Sequence, residues 1–214
     1  MKLGMIPAVA MTILLSGCSQ RFETVNDTLK EAIFGFDDVN MTTEQIEQLP
    51  YASAYFRIND GQQIFMVLAF ADVNPENNQT QLKWVSSDKA MIVTEQGRIV
   101  KTLNLPEYNL AERASLDGAW QETDHSRSRY DWPASNYGFN AESEYALQGK
   151  ETIQTPIWTK ELTVWEESVN FAALNNSIKN SYWIDADNNV LKSVQYIGPK
   201  MTRIEFSILK PYTE

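Results

Sequence analysis

The most distinctive chemistry in this 214-residue chain belongs to Cys18, its only cysteine. A lone thiol has no disulfide partner and joins no group with metal-ligand spacing. The single histidine, His125, follows Asp124 and lies among several serines. A nucleophilic triad needs those groups placed by the fold, and polar neighbours in a polar stretch are common, so His125 reads as a solvated loop residue. The 28 acidic residues bring many carboxylates within reach of one another by chance. None is singled out as a glycosidase pair. The sequence contains no phosphate loop, dinucleotide fingerprint or paired CxxC. Six tryptophans remain, and indole faces stack on sugar rings. Trp84, Trp158, Trp165 and Trp183 fall on predicted strands and read as core or strand-edge filling. Trp120 and Trp132 flank the least legible stretch and are the candidate ligand-binding rings.

The neighbours of Cys18 say what its thiol is for. A basic start at Lys2 leads into an uncharged apolar run from Leu3 to Leu15, then Ser16 and Gly17. That is the layout of a secretory signal peptide. The run of about 13 residues is too short to cross a hydrocarbon core of about 30 Å as a helix. Leu15-Ser16-Gly17-Cys18 resembles the bacterial lipobox. The resemblance implies cleavage between Gly17 and Cys18, a thioether to diacylglycerol on Cys18, and acylation (palmitate) of the freed amine. One acyl chain gives only marginal membrane binding, whereas two or three make a stable anchor. Ser19 stands where inner-membrane retention calls for aspartate. By resemblance to lipoprotein sorting rules, the address is the periplasmic face of the outer membrane. Residues 1–17 then form a cleaved signal peptide, and 18–214 a single lipid-anchored domain.

Cleavage would remove one lysine and move the formal charge from -10 to -11. So acidic a chain is unsuited to nucleic acid, whose binding rests on neutralising phosphates with Lys and Arg. With its cysteine acylated the domain has no disulfide, and packing must hold it. The 6 Trp, 9 Tyr and 9 Phe supply the area for that. No cofactor is implied beyond the covalent lipid on Cys18.

Helical spacing of Phe22, Val25, Leu29 and Ile33, ending near Gly35, predicts a first short helix. Thr42 and Gln45 in capping-box spacing, closed by Pro50, predict a second, so helices occupy about 22–49. From Tyr51 the period becomes two. Asn59-Asp60-Gly61 predicts a hairpin, Gln96-Gly97 joins another strand pair, and Asp187-Asn188-Asn189 a third. Ile64 to Ala71 is apolar on both faces, as in a strand covered on both sides. Ile204, Phe206 and Ile208 alternate with Arg203, Glu205 and Ser207, one face buried and one wet. Pro106 to about Ser135 reads as loop. Nine or ten strands over about 51–209, with short turns and no interleaved helices, predict a mainly β fold with one curved antiparallel sheet.

Three stretches carry a family likeness: "LPYASAYFRINDGQQIFMVLAF", "KWVSSDKAMIVTEQGRIVKTLNL" and "YWIDADNNVLKSVQYIG" with "IEFSILKPY" behind it. Together with the lipobox they resemble the YjbF/GfcB family of outer-membrane lipoproteins associated with exopolysaccharide and group four capsule production. The resemblance implies a half-barrel similar to the lipoprotein carriers of outer-membrane targeting, with helices filling the concave side. It implies partners too: an outer-membrane β-barrel, periplasmic export proteins and the polysaccharide itself. It brings no catalytic motif, and only Cys18 carries over. The expected role is a non-catalytic accessory factor in polysaccharide secretion or assembly. The alternatives are a half-barrel for a hydrophobic ligand or lipid, which requires an apolar cavity, and a polysaccharide-modifying enzyme, which requires paired carboxylates in an open cleft.

Overall fold

Alternation of period two becomes, in the computed structural model, an antiparallel meander. The structure describes residues 37–117, 124–134 and 136–213, and from Asp38 onward these form one compact unit. A short helix α1 (Thr43–Glu47) comes first. Twelve strands follow: β1 (Ser53–Ile58), β2 (Gln63–Val73), β3 (Thr80–Val85), β4 (Met91–Glu95), β5 (Arg98–Leu103), β6 (Glu112–Ser115), β7 (His125–Trp132), β8 (Asn136–Gln154), β9 (Thr159–Phe171), β10 (Asn176–Ile184), β11 (Val190–Tyr196) and β12 (Arg203–Lys210). Their order in the sheet is β5-β4-β3-β2-β1-β12-β11-β10-β9-β8-β7-β6. Every neighbour pair is adjacent in sequence except β1 and β12, which join the two ends of the meander. The sheet curls until its edges β5 and β6 meet, where Thr102 N–H donates to the Leu110 carbonyl at 2.9 Å. The result is a nearly closed barrel, more complete than the half-barrel that the resemblance implies.

Inward positions make the core. Ile204, Phe206 and Ile208 are buried as their alternation predicts, and Phe56 packs between Phe206 (5.6 Å between ring centres) and Trp84 (6.1 Å). Outward positions carry cross-strand ion pairs such as Arg129–Glu112 and Lys179–Glu166. A charged outer face around an apolar interior is the reverse of a lipid-embedded barrel. One end is plugged: the Trp132 indole donates to the Ile197 carbonyl at 2.7 Å, and Thr202 exchanges hydrogen bonds with the backbone of Tyr108. At the other end lie the β4–β5 and β10–β11 turns and the C-terminal tail.

The hairpins follow turn chemistry. Gln96 (φ 49°) and Gly97 (φ 75°) both take the left-handed region that a two-residue type I′ turn requires. Asn59 (φ 51°) and Asn188 (φ 64°) do the same in the other two predicted turns. Helix α1 has its capping box, with the Thr42 side chain accepting from Gln45 N–H and the Gln45 side chain from Thr42 N–H. Its position corrects one expectation. Ile46 packs with Tyr55 and Leu209, so this helix lies on the outer face and not in the concave side. The helix expected from Phe22 to Ile33 lies outside the described residues.

Two further corrections concern strands. The stretch from Pro106 to Ser135, expected as loop, contains β6 and β7, which raises the count from nine or ten to twelve. Ile64 to Ala71 is only partly covered on its second face. Met66 is fully buried inward and Phe65 packs outward on Tyr55, but past the bulge between Leu68 and Phe70 the Phe70 ring is 60% exposed. Helix α1 is too short to reach it.

Gly97 brings the β4–β5 turn against β11 inside the barrel. A Cβ there would lie 2.3 Å from Val190 Cβ, at a φ that disfavours any side chain. Gly97→Ala is therefore expected to lower stability by about 1–3 kcal/mol, read from the urea unfolding midpoint at unchanged slope.

Candidate functional site

The barrel's most unusual chemistry is inside it. Glu167, on β9, is fully buried, and its carboxylate is reached from four other strands. Oε1 accepts from Arg98 of β5, from Arg113 Nη2 of β6 at 2.8 Å and from the Tyr145 hydroxyl of β8 at 3.2 Å. Oε2 accepts from Asn180 Nδ2 at 2.9 Å and the Tyr182 hydroxyl at 2.7 Å, both on β10. A further layer extends to β7 and β11. Ser126 Oγ lies 2.5 Å from the Tyr145 hydroxyl, and Gln195 Nε2 donates to the Gly97 carbonyl at 2.9 Å while its Oε1 accepts from Ile99 N–H at 3.0 Å. The guanidinium groups also lie over rings, Arg98 5.3 Å from the centre of Tyr145 and Arg113 5.1 Å from that of Tyr130.

Burial alone would push the Glu167 carboxyl up. The charges of Arg113 and Arg98, with the hydrogen bonds from Asn180 and Tyr182, outweigh it and hold the group far below the usual carboxylate range. Burial likewise opposes the charge on Arg113, and the facing carboxylate more than restores it. Burial pushes the Tyr130 hydroxyl up to about 12 and, with the negative charge of Glu167, raises Tyr182 and Tyr145. The hydroxyls therefore stay protonated, and those of Tyr145 and Tyr182 donate to the Glu167 carboxylate.

At the open end the interior widens into a cleft of ≈ 590 Å³, within the roughly 300–1,000 Å³ of small-molecule pockets. Its floor is apolar, including Leu82, Trp84, Phe206 and Ile208. Its rim is polar, with Lys160, Asp187 and Asn189, and the tail residues Pro211 to Thr213 form one wall. Asp185, also on the rim, serves the turn: its Oδ1 accepts from the N–H groups of Asp187 (3.0 Å) and Asn189 (2.9 Å).

The residues singled out by sequence fall differently. Cys18, Gly17 and Trp120 lie outside the described residues. Trp132 is not an exposed ligand-binding ring. It is 3% exposed, stacks on Tyr130 at 5.8 Å and has its indole N–H committed to Ile197, while Gly198 lies so close to the ring that a Cβ there would sit 2.7 Å from it. Trp84 is core, as read, with its N–H on Thr94 Oγ1. Trp158, Trp165 and Trp183 pack partly buried against the core, as read, and Lys192 lies over the Trp183 ring. His125 opens β7 on the exposed side, and its neighbour Ser126 points inward, because successive strand residues face opposite ways. These two cannot share a triad. Among the described residues, no group of three or more His, Cys, Asp and Glu side chains could hold a metal.

Comparison with known proteins gives one consistent result. The family model described as "Group 4 capsule polysaccharide lipoprotein gfcB, YjbF" matches residues 26–209. The Escherichia coli K12 lipoprotein GfcB is 32% identical over 208 residues, covering 93% of this chain and 94% of GfcB. YjbF of the same organism is 31% identical over 218 residues, 94% and 95% of the two chains. The crystal structure of the E. coli lipoprotein YmcC superposes with a TM-score of 0.66 at 30% identity, covering 88% of this chain and 96% of that one.

Glu167→Gln would leave both guanidinium groups without their carboxylate, an expected loss of about 3–5 kcal/mol in urea unfolding. The pH dependence has a definite sign. Because the folded carboxyl lies below its unfolded value of about 4.3, its contribution is complete above that value and is lost as pH falls toward the folded one. Stability of the parent should thus drop steeply below about pH 5. The Gln variant should show a shallower fall over the same range.

Proposed function

This chain belongs to the YjbF family of group 4 capsule polysaccharide lipoproteins, and from that premise we propose that it is a non-catalytic accessory factor in exopolysaccharide or capsule export. In this reading Cys18 carries the lipid that holds the domain on the periplasmic face of the outer membrane, and the open end of the barrel engages a segment of the polysaccharide. The cleft carries the argument. An apolar floor suits the C–H faces of sugar rings, and amide and carboxylate groups on the rim suit their hydroxyls. The two carboxylates of the β10–β11 turn at this rim are Asp185 and Asp187, and Asp185 is held by its turn, an arrangement that favours holding a chain over cutting it.

The hydrophobic-carrier alternative fares less well. Such a module needs an enclosed apolar cavity, whereas the cleft has an apolar floor but a polar rim, and below it the interior is packed with Phe56, Phe171 and Ile204 around a charged centre. Family partners, an outer-membrane β-barrel and periplasmic export proteins, belong to this proposal as the machinery to which the anchored domain delivers or guides its glycan.

The reading is testable in cells. Cys18→Ser is expected to move the protein out of the outer-membrane fraction and to lower surface polysaccharide; unchanged location and output would sink it. Asp187→Ala combined with Tyr212→Ala alters the rim alone. That variant should keep its location, fold normally and bind the purified polysaccharide several-fold more weakly in affinity electrophoresis.

A further inference from the structure

The cleft at the open end carries more chemistry than a general fit to sugar rings uses. Among the described residues that line it, the charged side chains are Lys160, Asp185 and Asp187. Lys160 faces Asp185, Nζ to Oδ2 at 3.7 Å. Asp185 is otherwise committed to its own turn, where it takes the N–H groups of Asp187 and Asn189 and the Asn189 side-chain amide at 3.3 Å. Asp187 stands apart. Only its N–H is used, and its exposed carboxylate has no hydrogen bond or ion pair among the described residues. The turn asks nothing of that side chain, because Asp185 supplies the acceptor and Asn188 the left-handed residue at φ 64°.

A second group without a partner lines the same cleft. The Tyr212 ring is 37% exposed, and among the described residues it stacks on no other ring and bonds to nothing through its hydroxyl. A carboxylate attracts a cation by its charge, and an aromatic face attracts one by its quadrupole. Neither favours an anion. Leu82 and Ile208, in the floor, supply apolar surface for the C–H face of a sugar ring.

We infer that the cleft selects an amino sugar, a hexosamine whose amine is free and charged, with Asp187 pairing the ammonium and Tyr212 covering one face of the residue. The inference rests on the glycan reading above and sharpens it to a class of sugar. An N-acetylated residue of similar shape has no charge to offer Asp187, and a uronate brings a charge of the wrong sign. The ammonium meets Asp187 at an open rim, so the pair contributes about threefold in affinity and weakens as salt is added.

The test compares two probes of one backbone on the lipoprotein in detergent micelles: the trisaccharide of chitosan, with free amines, and that of chitin, with acetylated ones. Isothermal titration calorimetry should show the chitosan trisaccharide binding about threefold more tightly. The chain is acidic overall, with a formal net charge of -10, and draws any cation toward it. Two variants with the same change of charge separate that general attraction from the cleft. Asp187→Asn removes a carboxylate from the rim, and Glu144→Gln removes one from an exposed position on β8. Neither carboxylate bonds to another described residue, so both variants should keep the parent's thermal midpoint. Asp187→Asn should bind the two trisaccharides alike, whereas Glu144→Gln should keep the preference. Four outcomes would overturn the inference: the parent binds the two alike, it binds neither, Asp187→Asn keeps the preference, or Glu144→Gln loses it. In each of these cases affinity electrophoresis with the purified polysaccharide reports separately on the proposed function. Retained binding would leave the glycan reading standing without its amine, and lost binding would remove both.

Discussion

One carboxylate organises this barrel. A nearly closed sheet of twelve strands has an interior that must be filled, and here the centre is filled by Glu167 and the donors that converge on it from β5, β6, β8 and β10. An isolated carboxylate so placed would be prohibitively desolvated. With two guanidinium groups and three neutral donors it becomes the point at which strands far apart in the sheet are tied together. The seam depends on it most, since β5 and β6 share little backbone pairing and their arginines reach past each other to the same oxygen. Packing around this centre is aromatic on the plugged side and turns to an open cleft on the other.

That arrangement explains what could be read from the chain and what could not. Turns were legible, because Asn59, Gln96-Gly97 and Asn188 answer to local backbone geometry that no distant contact overrides. The β12 alternation of Ile204, Phe206 and Ile208 was equally plain. β7 was missed because its inward residues are Ser126, Ser128, Tyr130 and Trp132, half of them polar, so the expected apolar stripe is absent. The polarity that hid the strand is the polarity of the central network. Glu167 itself left a trace: it sits in phase with Val169 and Phe171 on the buried face of β9, where a charge has no ordinary place. Its partners Arg98 and Arg113 were beyond reach, since nothing local announces that residues 69 and 54 positions away will meet one side chain.

Trp132 shows a related limit. An indole near a poorly patterned stretch looks like a surface ring. The stretch was poorly patterned for another reason, and the ring proved to be the plug of the closed end. Composition speaks to the presence of aromatic area and not to which side of a sheet it occupies.

The joint between β1 and β12 sets an order of events. Every other ladder in the sheet is local, but Ala54 pairs with Ile208 and Ile58 with Ile204, at separations of about 150 residues. Such closures are slow to form. A chain that emerges from a membrane N-terminus first would present β1 long before β12 exists to cover it, with Ala54 and Phe56 on its inward face. Until β12 is available, the molecule is an open ribbon with unpaired edges at β1 and β11. Its assembly is thus timed by β12, and loss of that strand alone would leave β1 paired on its β2 side only.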